Sequence, residues 1–379
     1  MAGKLIVIDA RTVRPGMTGV GRRTAHILRA LLHGHSGFRF ALITADRQSL
    51  EPWLGSGPPP PLLWEAPARE RHLASEWWMA TRLPRLLREH GAVLFDGPAF
   101  ELPRRRLSVP CVVTIHDLAH RLRPATQPWR FRRWLEAATA HSVRTAARVV
   151  VPSASVRREI ATVWPDAAAK IVEIPGGVDA AWRPATPEQR SDTRRREGIE
   201  RGFLIHVGTF EPRKNHRFVL EVFTALQAEC DDPPDLVLAG GAGPALTRVM
   251  RWIEQSPFRE RIRVLTHLDD ARLRALLAAA DALVFPSLAE GYGLPVLEAA
   301  ACGVPAVASA IPGHEQFAGQ AAELLPLGDV RPWVDALLHL RRPEQRERRA
   351  AQAVSFASQY TWDRVAQRVL HLHREIAGG

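Results

Sequence analysis

Lysine is nearly missing from this chain: 3 of its 379 residues are lysine, against 48 arginines. Cysteine is equally scarce, and Cys111, Cys230 and Cys302 are scattered and odd in number. Three such residues build neither a disulfide framework nor a zinc site, and their scarcity fits a reducing, cytoplasmic setting. No run approaches the ~18 apolar residues that a membrane span needs. The opening segment, Met1 to Asp9, has an apolar run too short for a signal peptide and closes on an acid. It reads as a first buried strand.

What is present is ordinary for a globular chain, with 46% hydrophobic and 24% charged residues. At roughly 100–200 residues per domain the length implies two domains. The net charge of +11 is unevenly spread. Residues 1–182 hold 26 basic and 15 acidic side chains, whereas residues 183–379 hold 25 of each. A bias in composition explains arginine in place of lysine but not this asymmetry. The basic first half suggests an anionic partner: a phosphate-bearing substrate, a membrane surface or nucleic acid.

Short apolar runs alternate with longer helical patterns, which predicts parallel sheets with crossover helices. In the first half, strands are expected at Leu5–Ala10, Phe40–Thr44, Val93–Phe95, Val112–His116, Arg148–Pro152 and Lys170–Ile174. Helices are expected at Gly21–Leu32, Ser75–His90, Arg130–Ala146 and Ser155–Val163, and the Pro- and Gly-rich Leu54–Pro61 as a loop. Pro175 to Asp179 breaks the pattern, and the polar stretch Arg183 to Gly202 marks a hinge. Beyond it, strands are expected at Phe203–Val207, Leu236–Ala239, Ile262–Leu265, Ala282–Phe285 and Ala306–Ala308. Helices are expected at Arg213–Cys230, Pro244–Gln255, Asp270–Ala280, Leu294–Cys302, Arg331–Leu340 and Trp362–Ile376. The fold class is therefore α/β, with two facing doubly wound domains, residues 1–178 and 179–361, and a last helix, 362–379, packed back on the first. Ligands of such sheets bind beyond the carboxyl ends of the strands, which places the expected site in a central cleft.

Four segments carry chemistry. In Phe285 to Gly303 a strand ends at Pro286, a loop carries Glu290, Tyr292 and two glycines, and Pro295 suits the first turn of a helix. The amides of Gly293 and Leu294 then point out of the helix N-terminus, an arrangement that binds phosphate. Glu298, one turn on, can clasp a ribose diol, and Glu290 can accept hydrogen bonds from sugar hydroxyls. A bland reading, that Glu298 favours the helix dipole, leaves Glu290 and the glycines unexplained. In His206 to His216, Gly208 and Thr209 follow a strand, and Arg213 and Lys214 supply adjacent cations for a diphosphate. In Val112 to Leu118 a strand ends in His116-Asp117, where an imidazole suits hydrogen bonding or proton handling near neutrality. A strand-end histidine, taken alone, is more often a satisfied structural residue. The fourth segment, Arg14 to Arg22, places Gly19 and Gly21 before a helix, but the third glycine and the acidic residue of a dinucleotide fingerprint are missing. Asp46 is no compelling substitute.

The segment Phe285 to Gly303 resembles the paired-glutamate signature of retaining nucleotide-sugar glycosyltransferases, the two-Rossmann-domain (GT-B) type of family four, in a mannosyltransferase-like branch. Glu290 and Glu298 are separated by seven residues, as in that signature, and the resemblance extends over nearly the whole chain in motif order. It implies transfer of a hexose, mannose favoured and carried by GDP, with UDP-sugars next, to a hydroxyl of a glycan or lipid-linked glycan. The setting implied is cell-surface polysaccharide or lipopolysaccharide biosynthesis. By the same resemblance Lys214 falls on the diphosphate-binding lysine, and His116 on a histidine that contacts the donor sugar or leaving phosphate. Asp117 falls beside it as a support or acceptor contact, and the Gly19/Gly21 loop borders donor phosphate and acceptor. The family often has arginine directly after its first glycine; here that residue is Thr209, and Arg213 substitutes. His267 stands where the family commonly has glycine near the nucleobase.

The resemblance also implies that no metal or other cofactor is needed. Asp231-Asp232 and Asp269-Asp270 are adjacent pairs without the spacing of metal-dependent transferases, and read as loop or cap residues. Two segments, Trp77 to Arg88 and Trp129 to Trp134, mix aromatic and basic residues in the manner of surfaces that sit on anionic lipid. Helices packed on a sheet with solvated arginines give the same pattern. The expected location is cytoplasmic, peripheral on the inner face of the membrane, with no nucleic-acid partner. The rival readings are a nucleotide-sugar epimerase of similar fold and a non-enzymatic basic protein that binds membrane or nucleic acid.

Overall fold

The computed structural model describes residues 3–34, 37–54, 61–126, 128–199 and 201–378. The chain divides into two compact units, Met1–Gly177 with Trp362–Gly379, and Val178–Thr361. Both are parallel α/β sheets.

In the first unit the strands are β1 (Lys4–Asp9), β2 (Phe38–Thr44), β3 (Leu62–Glu65), β4 (Ala92–Gly97), β5 (Cys111–Thr114), β6 (Arg148–Val151) and β7 (Ile171–Glu173). The helices are α1 (Gly19–His33), α2 (Arg47–Leu50), α3 (His72–Glu89), α4 (Ala119–Leu122), α5 (Trp129–Thr145) and α6 (Ala154–Val163). The sheet runs β3-β2-β1-β4-β5-β6-β7, every pair parallel. Parallel strands are covered on both faces and must be apolar throughout. Leu5 to Ile8 and Leu42 to Ile43 meet that demand, none more than 3% exposed.

In the second unit the strands are β8 (Phe203–Val207), β9 (Asp235–Ala239), β10 (Ile262–Leu265), β11 (Ala282–Phe285), β12 (Ala306–Ser309) and β13 (Ala322–Leu325). The helices are α7 (Pro187–Arg196), α8 (His216–Ala228), α9 (Leu246–Glu254), α10 (Asp270–Ala279), α11 (Leu294–Ala301), α12 (Arg331–Leu340) and α13 (Pro343–Ala357). The sheet order is β10-β9-β8-β11-β12-β13, again parallel throughout. The last helix, α14 (Trp362–Gly378), belongs to the first unit. There His373 Nε2 lies 2.9 Å from the buried Asp96 Oδ2 on β4, and the Trp362 ring stacks on His26 at 5.0 Å.

Several elements depart from the sequence reading. Strands β3 and β13 went unpredicted, since LLWE and AELL are too short and too mixed to stand out. Helix α7 lies inside the stretch read as a hinge. It buries no residue, so it has no apolar stripe to announce it. Its one signal is local: Thr186 accepts from the Gln189 amide and Gln189 reaches back, a capping box. Helix α13 was missed for the same reason, because its buried residues, Ala353, Phe356 and Ala357, come only in its last turns. The helix expected from Arg213 starts later. Pro212–Lys214 form a 3-10 turn and Asn215 takes a left-handed φ of 54°, so Arg213 and Lys214 stand on the loop. Of the loop expected at Leu54–Pro61, residues 55–60 lie outside the described residues.

The charge asymmetry sharpens when counted by unit. The first unit holds 29 basic and 16 acidic side chains, and the second 22 and 24.

Candidate active site

The second sheet changes direction between β8 and β11, where the chain has built outward to one side and then to the other. Loops leaving such a switch point part to open a crevice at the carboxyl edge. The two loops here, 208–215 after β8 and 286–293 after β11, are the two that carry the phosphate and glutamate motifs. They are laced together. The Leu288 amide donates to the Arg213 carbonyl at 2.8 Å, Asn215 Nδ2 to the Pro286 carbonyl at 3.2 Å, and the Arg213 guanidinium to the Ala289 carbonyl at 2.9 Å.

This lacing brings together residues that are 76 positions apart. Lys214 Nζ lies 2.6 Å from Glu290 Oε1, and Arg213 Nη1 lies 2.8 Å from Glu290 Oε2. The Glu290 and Lys214 side chains are each 9% exposed and Arg213 18%. Lys214 Nζ also sits 4.8 Å from the centre of the Phe285 ring, a cation–π contact. Gly208 makes room for this lysine: a Cβ there would stand 3.1 Å from Lys214 Cδ and Cε.

Burial alone would raise the Glu290 carboxyl, but Arg213 and Lys214 outweigh it and hold it well below the ordinary carboxylate range. Burial lowers the Lys214 ammonium from its usual value, with Glu290 opposing. The cluster holds two cations against one well-paired anion; Glu211 reaches Arg213 only at 3.5 Å. With Glu211 counted the charges of the cluster balance, two cations against two carboxylates. An ionised carboxylate has about four acceptor positions, and the two cations occupy one on each oxygen. Glu290, expected from the sequence to contact sugar hydroxyls, is the counter-ion of Arg213 and Lys214.

Helix α11 begins in the same crevice. Gly293 caps it with φ of 91°, a conformation that favours glycine, and its α-carbon packs so closely on His314 that a Cβ would stand 3.0 Å from His314 Cδ2. Pro295 occupies the first turn and has no N–H, the Val296 amide donates to the Gly293 carbonyl at 3.0 Å, and the Gly293 and Leu294 amides precede any carbonyl that the helix could offer them. Glu298 is half-buried one turn on. Together with burial its charge raises the Cys302 thiol to about 12, so that cysteine is an inert core residue. The Tyr292 side chain does not face the crevice; its ring is buried edge-on against Phe317 at 5.5 Å. Thr209 holds the turn after β8, its carbonyl accepting from Glu211 at 2.7 Å. His267 takes a left-handed φ of 58°, a conformation that favours glycine.

Histidines form a neutral floor that the sequence reading missed. His314 is fully buried, donates from Nδ1 to the Ser309 carbonyl at 2.9 Å, and so leaves Nε2 as a lone pair. His206 bonds the Val284 carbonyl at 2.9 Å, packs on Phe285 and His216, and is pushed down to about 4 by burial. Gly313, beside His314, touches the Glu290 carbonyl so closely that a Cβ would overlap it. The sequence signal was the Gly313-His314 pair soon after the end of β12.

In the first unit, His116 follows β5, and its Nε2 donates to the Pro98 carbonyl at 2.7 Å. That bond sets the tautomer with Nδ1 as an acceptor. Burial, with Arg23 and Arg69 adding to it, pushes the imidazole down to about 3. Proton handling near neutrality, expected from residue type, therefore gives way to hydrogen-bond acceptance by a neutral ring. Asp117 Oδ1 accepts from the Ala119 amide at 2.9 Å and forms the turn into α4. Gly19 is exposed at the start of α1. Gly21 is buried and has a packing role, since a Cβ would overlap the Thr12 carbonyl and the Met17 side chain. At the carboxyl end of β1, Asp9 and Arg11 form a buried two-pronged pair at 2.8 and 2.7 Å, another feature the sequence reading did not find.

Comparison with known proteins agrees with this geometry. Residues 17–182 match the Glycosyltransferase Family 4 domain and residues 189–353 the Glycosyl transferases group 1 domain. The chain is 28% identical over 290 residues to the O-antigen chain mannosyltransferase B of Escherichia coli, covering 76% of each. Among solved structures it superposes on Anabaena Alr3699/HepE in complex with UDP-glucose (TM-score 0.75, 18% identity, 98% of this chain and 99% of that one). It also superposes on WaaG, a glycosyltransferase involved in lipopolysaccharide biosynthesis (TM-score 0.75, 18% identity, 99% and 100%). With the two domain matches covering most of its length, this chain is a glycosyltransferase of the GT-B architecture, with a group 1 domain preceded by a family 4 domain.

Proposed function

We propose that this enzyme transfers a hexose, mannose in the first place, from a nucleoside diphosphate sugar to a hydroxyl of a glycan or lipid-linked glycan, retaining the anomeric configuration. The observation that carries the proposal is the Arg213–Lys214–Glu290 cluster beside the free N-terminus of α11. Two cations and the amides of Gly293 and Leu294 suit the two phosphates. Glu298 takes the ribose diol, and Glu290, already held by its cations, accepts from sugar hydroxyls.

In the proposed step the acceptor oxygen bonds to the anomeric carbon on the face from which the diphosphate leaves, and the acceptor proton passes to the departing phosphate oxygen. Lys214, Arg213 and the amides of Gly293 and Leu294 stabilise the charge that develops there. These groups do the work a metal ion would do, so activity should survive a chelator. Mannose and a role in cell-surface polysaccharide synthesis are supported by the 28% likeness to the O-antigen chain mannosyltransferase, and the GDP carrier by the resemblance of the sequence motifs.

The test is a thermal-shift screen of GDP- and UDP-sugars, followed by proton NMR of the product formed with the donor that binds. A true ligand raises apparent stability by mass action. We expect GDP-mannose to give the largest shift and an α-linked product. An inverted linkage overturns retention. An epimerised sugar formed without acceptor overturns transfer, and the absence of any shift overturns donor binding.

A further inference from the structure

A second charged cluster lies at the amino edge of the second sheet, the end opposite the crevice. Asp281, in the turn that enters β11, is met by three arginines: Arg194 Nη2 at 2.9 Å, Arg346 Nη1 at 3.0 Å and Arg190 Nη2 at 3.3 Å. Arg190 and Arg194 come from α7 and Arg346 from α13. Gly202 leaves space for the acid, since a Cβ there would overlap Asp281 Oδ2. The arginines also cap α10. Arg194 donates to the Ala279 carbonyl at 3.2 Å and Arg190 to the Ala280 carbonyl at 3.0 Å, which suits the negative end of a helix.

Neutralising one carboxylate and capping one helix end account for one or two arginines, not for three. Against the three cations stand one carboxylate and roughly half a charge from the helix end, so about one and a half positive charges remain. Arg195, tied to Asp192 on its own helix, adds nothing to that excess. Burial lowers the Arg190 guanidinium from its usual value, with Asp281 opposing and Arg194 adding to the effect. The Nε of Arg194 is buried without a partner. Around these groups is an open pocket of about 880 Å³, lined by Arg190, Ser191, Arg194, Arg195 and Arg346, with Asp281 its one acid among the described residues. That volume falls in the range of small-molecule sites. Guanidinium forks match phosphate oxygens two at a time, and a phosphate ester carries about −1.5 to −2 near neutral pH, the charge the pocket lacks.

We propose that this pocket binds a phosphoryl group, free or at the end of a small molecule, between the arginines of α7 and Arg346 of α13, with the Ser191 hydroxyl as a further donor. The site stands at the amino ends of β8 and β11, whereas the donor crevice opens at their carboxyl ends, so the proposal is independent of the transfer reading. Helix α7 buries no residue and is held by polar contacts alone. A phosphoryl group that links it to α13 adds to those contacts, and its binding is therefore read as stability.

The test is thermal unfolding of the full chain carrying Lys214→Met, which takes a cation out of the donor crevice and leaves this pocket intact. A site of about millimolar affinity should raise the melting temperature by about 3–5 °C at about 10 mM inorganic phosphate, and chloride at equal ionic strength should not. Arg346→Gln in the same background removes one fork and should weaken phosphate binding about ten-fold, reducing the rise to about 1 °C. Ser191→Glu keeps every arginine contact and places a carboxylate in the pocket, so it should abolish the rise. Glucose 6-phosphate at the same concentration separates the sources. A rise no larger than that with phosphate identifies the free anion, and a larger one identifies an organic phosphate. No rise with either compound in the Lys214→Met protein, or a rise that survives both Arg346→Gln and Ser191→Glu, overturns the proposal. The donor-induced shift of otherwise wild-type protein should persist in Ser191→Glu, so failure here is distinct from failure of the transfer reading.

Discussion

Replacing Glu290 by glutamine changes one oxygen to an amide nitrogen and little else in shape, yet it strips the counter-charge from two buried cations. Lys214 and Arg213 stand 2.6 and 2.8 Å from the two carboxylate oxygens. Breaking a buried pair by removing one partner typically costs about 3–5 kcal/mol, because the remaining charge is left without compensation. Arg213 is the more exposed cation and keeps Glu211 as a second partner at 3.5 Å, so the lower end, about 3 kcal/mol, is expected. Urea unfolding of wild type, Glu290→Gln, Lys214→Met and the double variant forms a cycle. Once Lys214 is gone the carboxylate matters less, so the cycle should show about 1–3 kcal/mol of coupling.

The pH dependence provides a second check. Glu290 has a folded value below its ordinary one, so its contribution is fully present above about pH 4.3 and is lost as pH falls further toward the folded value. The gap between wild type and Glu290→Gln should be flat from pH 8 to about 5 and then close. Additivity of the cycle within about 0.5 kcal/mol, or a gap that persists into acid, refutes the buried triad. The variant should still bind free nucleoside diphosphate, because its cations are no longer held by the carboxylate, while sugar transfer falls.

Gly208→Ala places a methyl group 3.1 Å from the Lys214 stem and should push the ammonium off its position. We expect about a ten-fold loss of nucleoside diphosphate affinity by calorimetry, about 1.4 kcal/mol, with less than about 1 kcal/mol of lost stability. Unchanged affinity would remove Lys214 from the phosphate site. Glu159 on α6 is pushed up to about 7 by burial, with the Asp117 charge adding. A carboxyl raised in the folded state holds its proton better folded than unfolded, so stability should fall as pH rises from about 4.3 to 7. Glu159→Gln should be more stable than wild type at pH 8 by on the order of 1 kcal/mol, after discounting for partial solvent exposure, and equal at pH 4. A variant less stable than wild type at pH 8 would contradict the burial of that carboxyl.

Much of the fold was legible because parallel strands declare themselves. Segments such as Leu5 to Ile8 and Ala282 to Phe285 must be apolar on both faces, and that demand is visible in the residues alone. Turn chemistry was legible too: Gly293 and Pro295 mark a helix start by their own backbone preferences. Elements without an apolar stripe were not. Helix α7 is held by a capping box and by Arg190 and Arg194 bonding Asp281 and the end of α10, contacts some 90 residues away.

The sequence by itself determined which residues carry charge, where strands give way to loops, and that Glu290, Glu298, Arg213 and Lys214 lie on such loops or just beyond them. Only the tertiary structure decided that Glu290 pairs with both cations, that burial keeps His116 neutral, and that Tyr292 turns inward. The physical reason is the sheet order. Placing β11 beside β8 rather than beside β10 depends on crossovers and packing summed over the whole unit, and that placement brings two loops 76 residues apart into hydrogen-bonding distance.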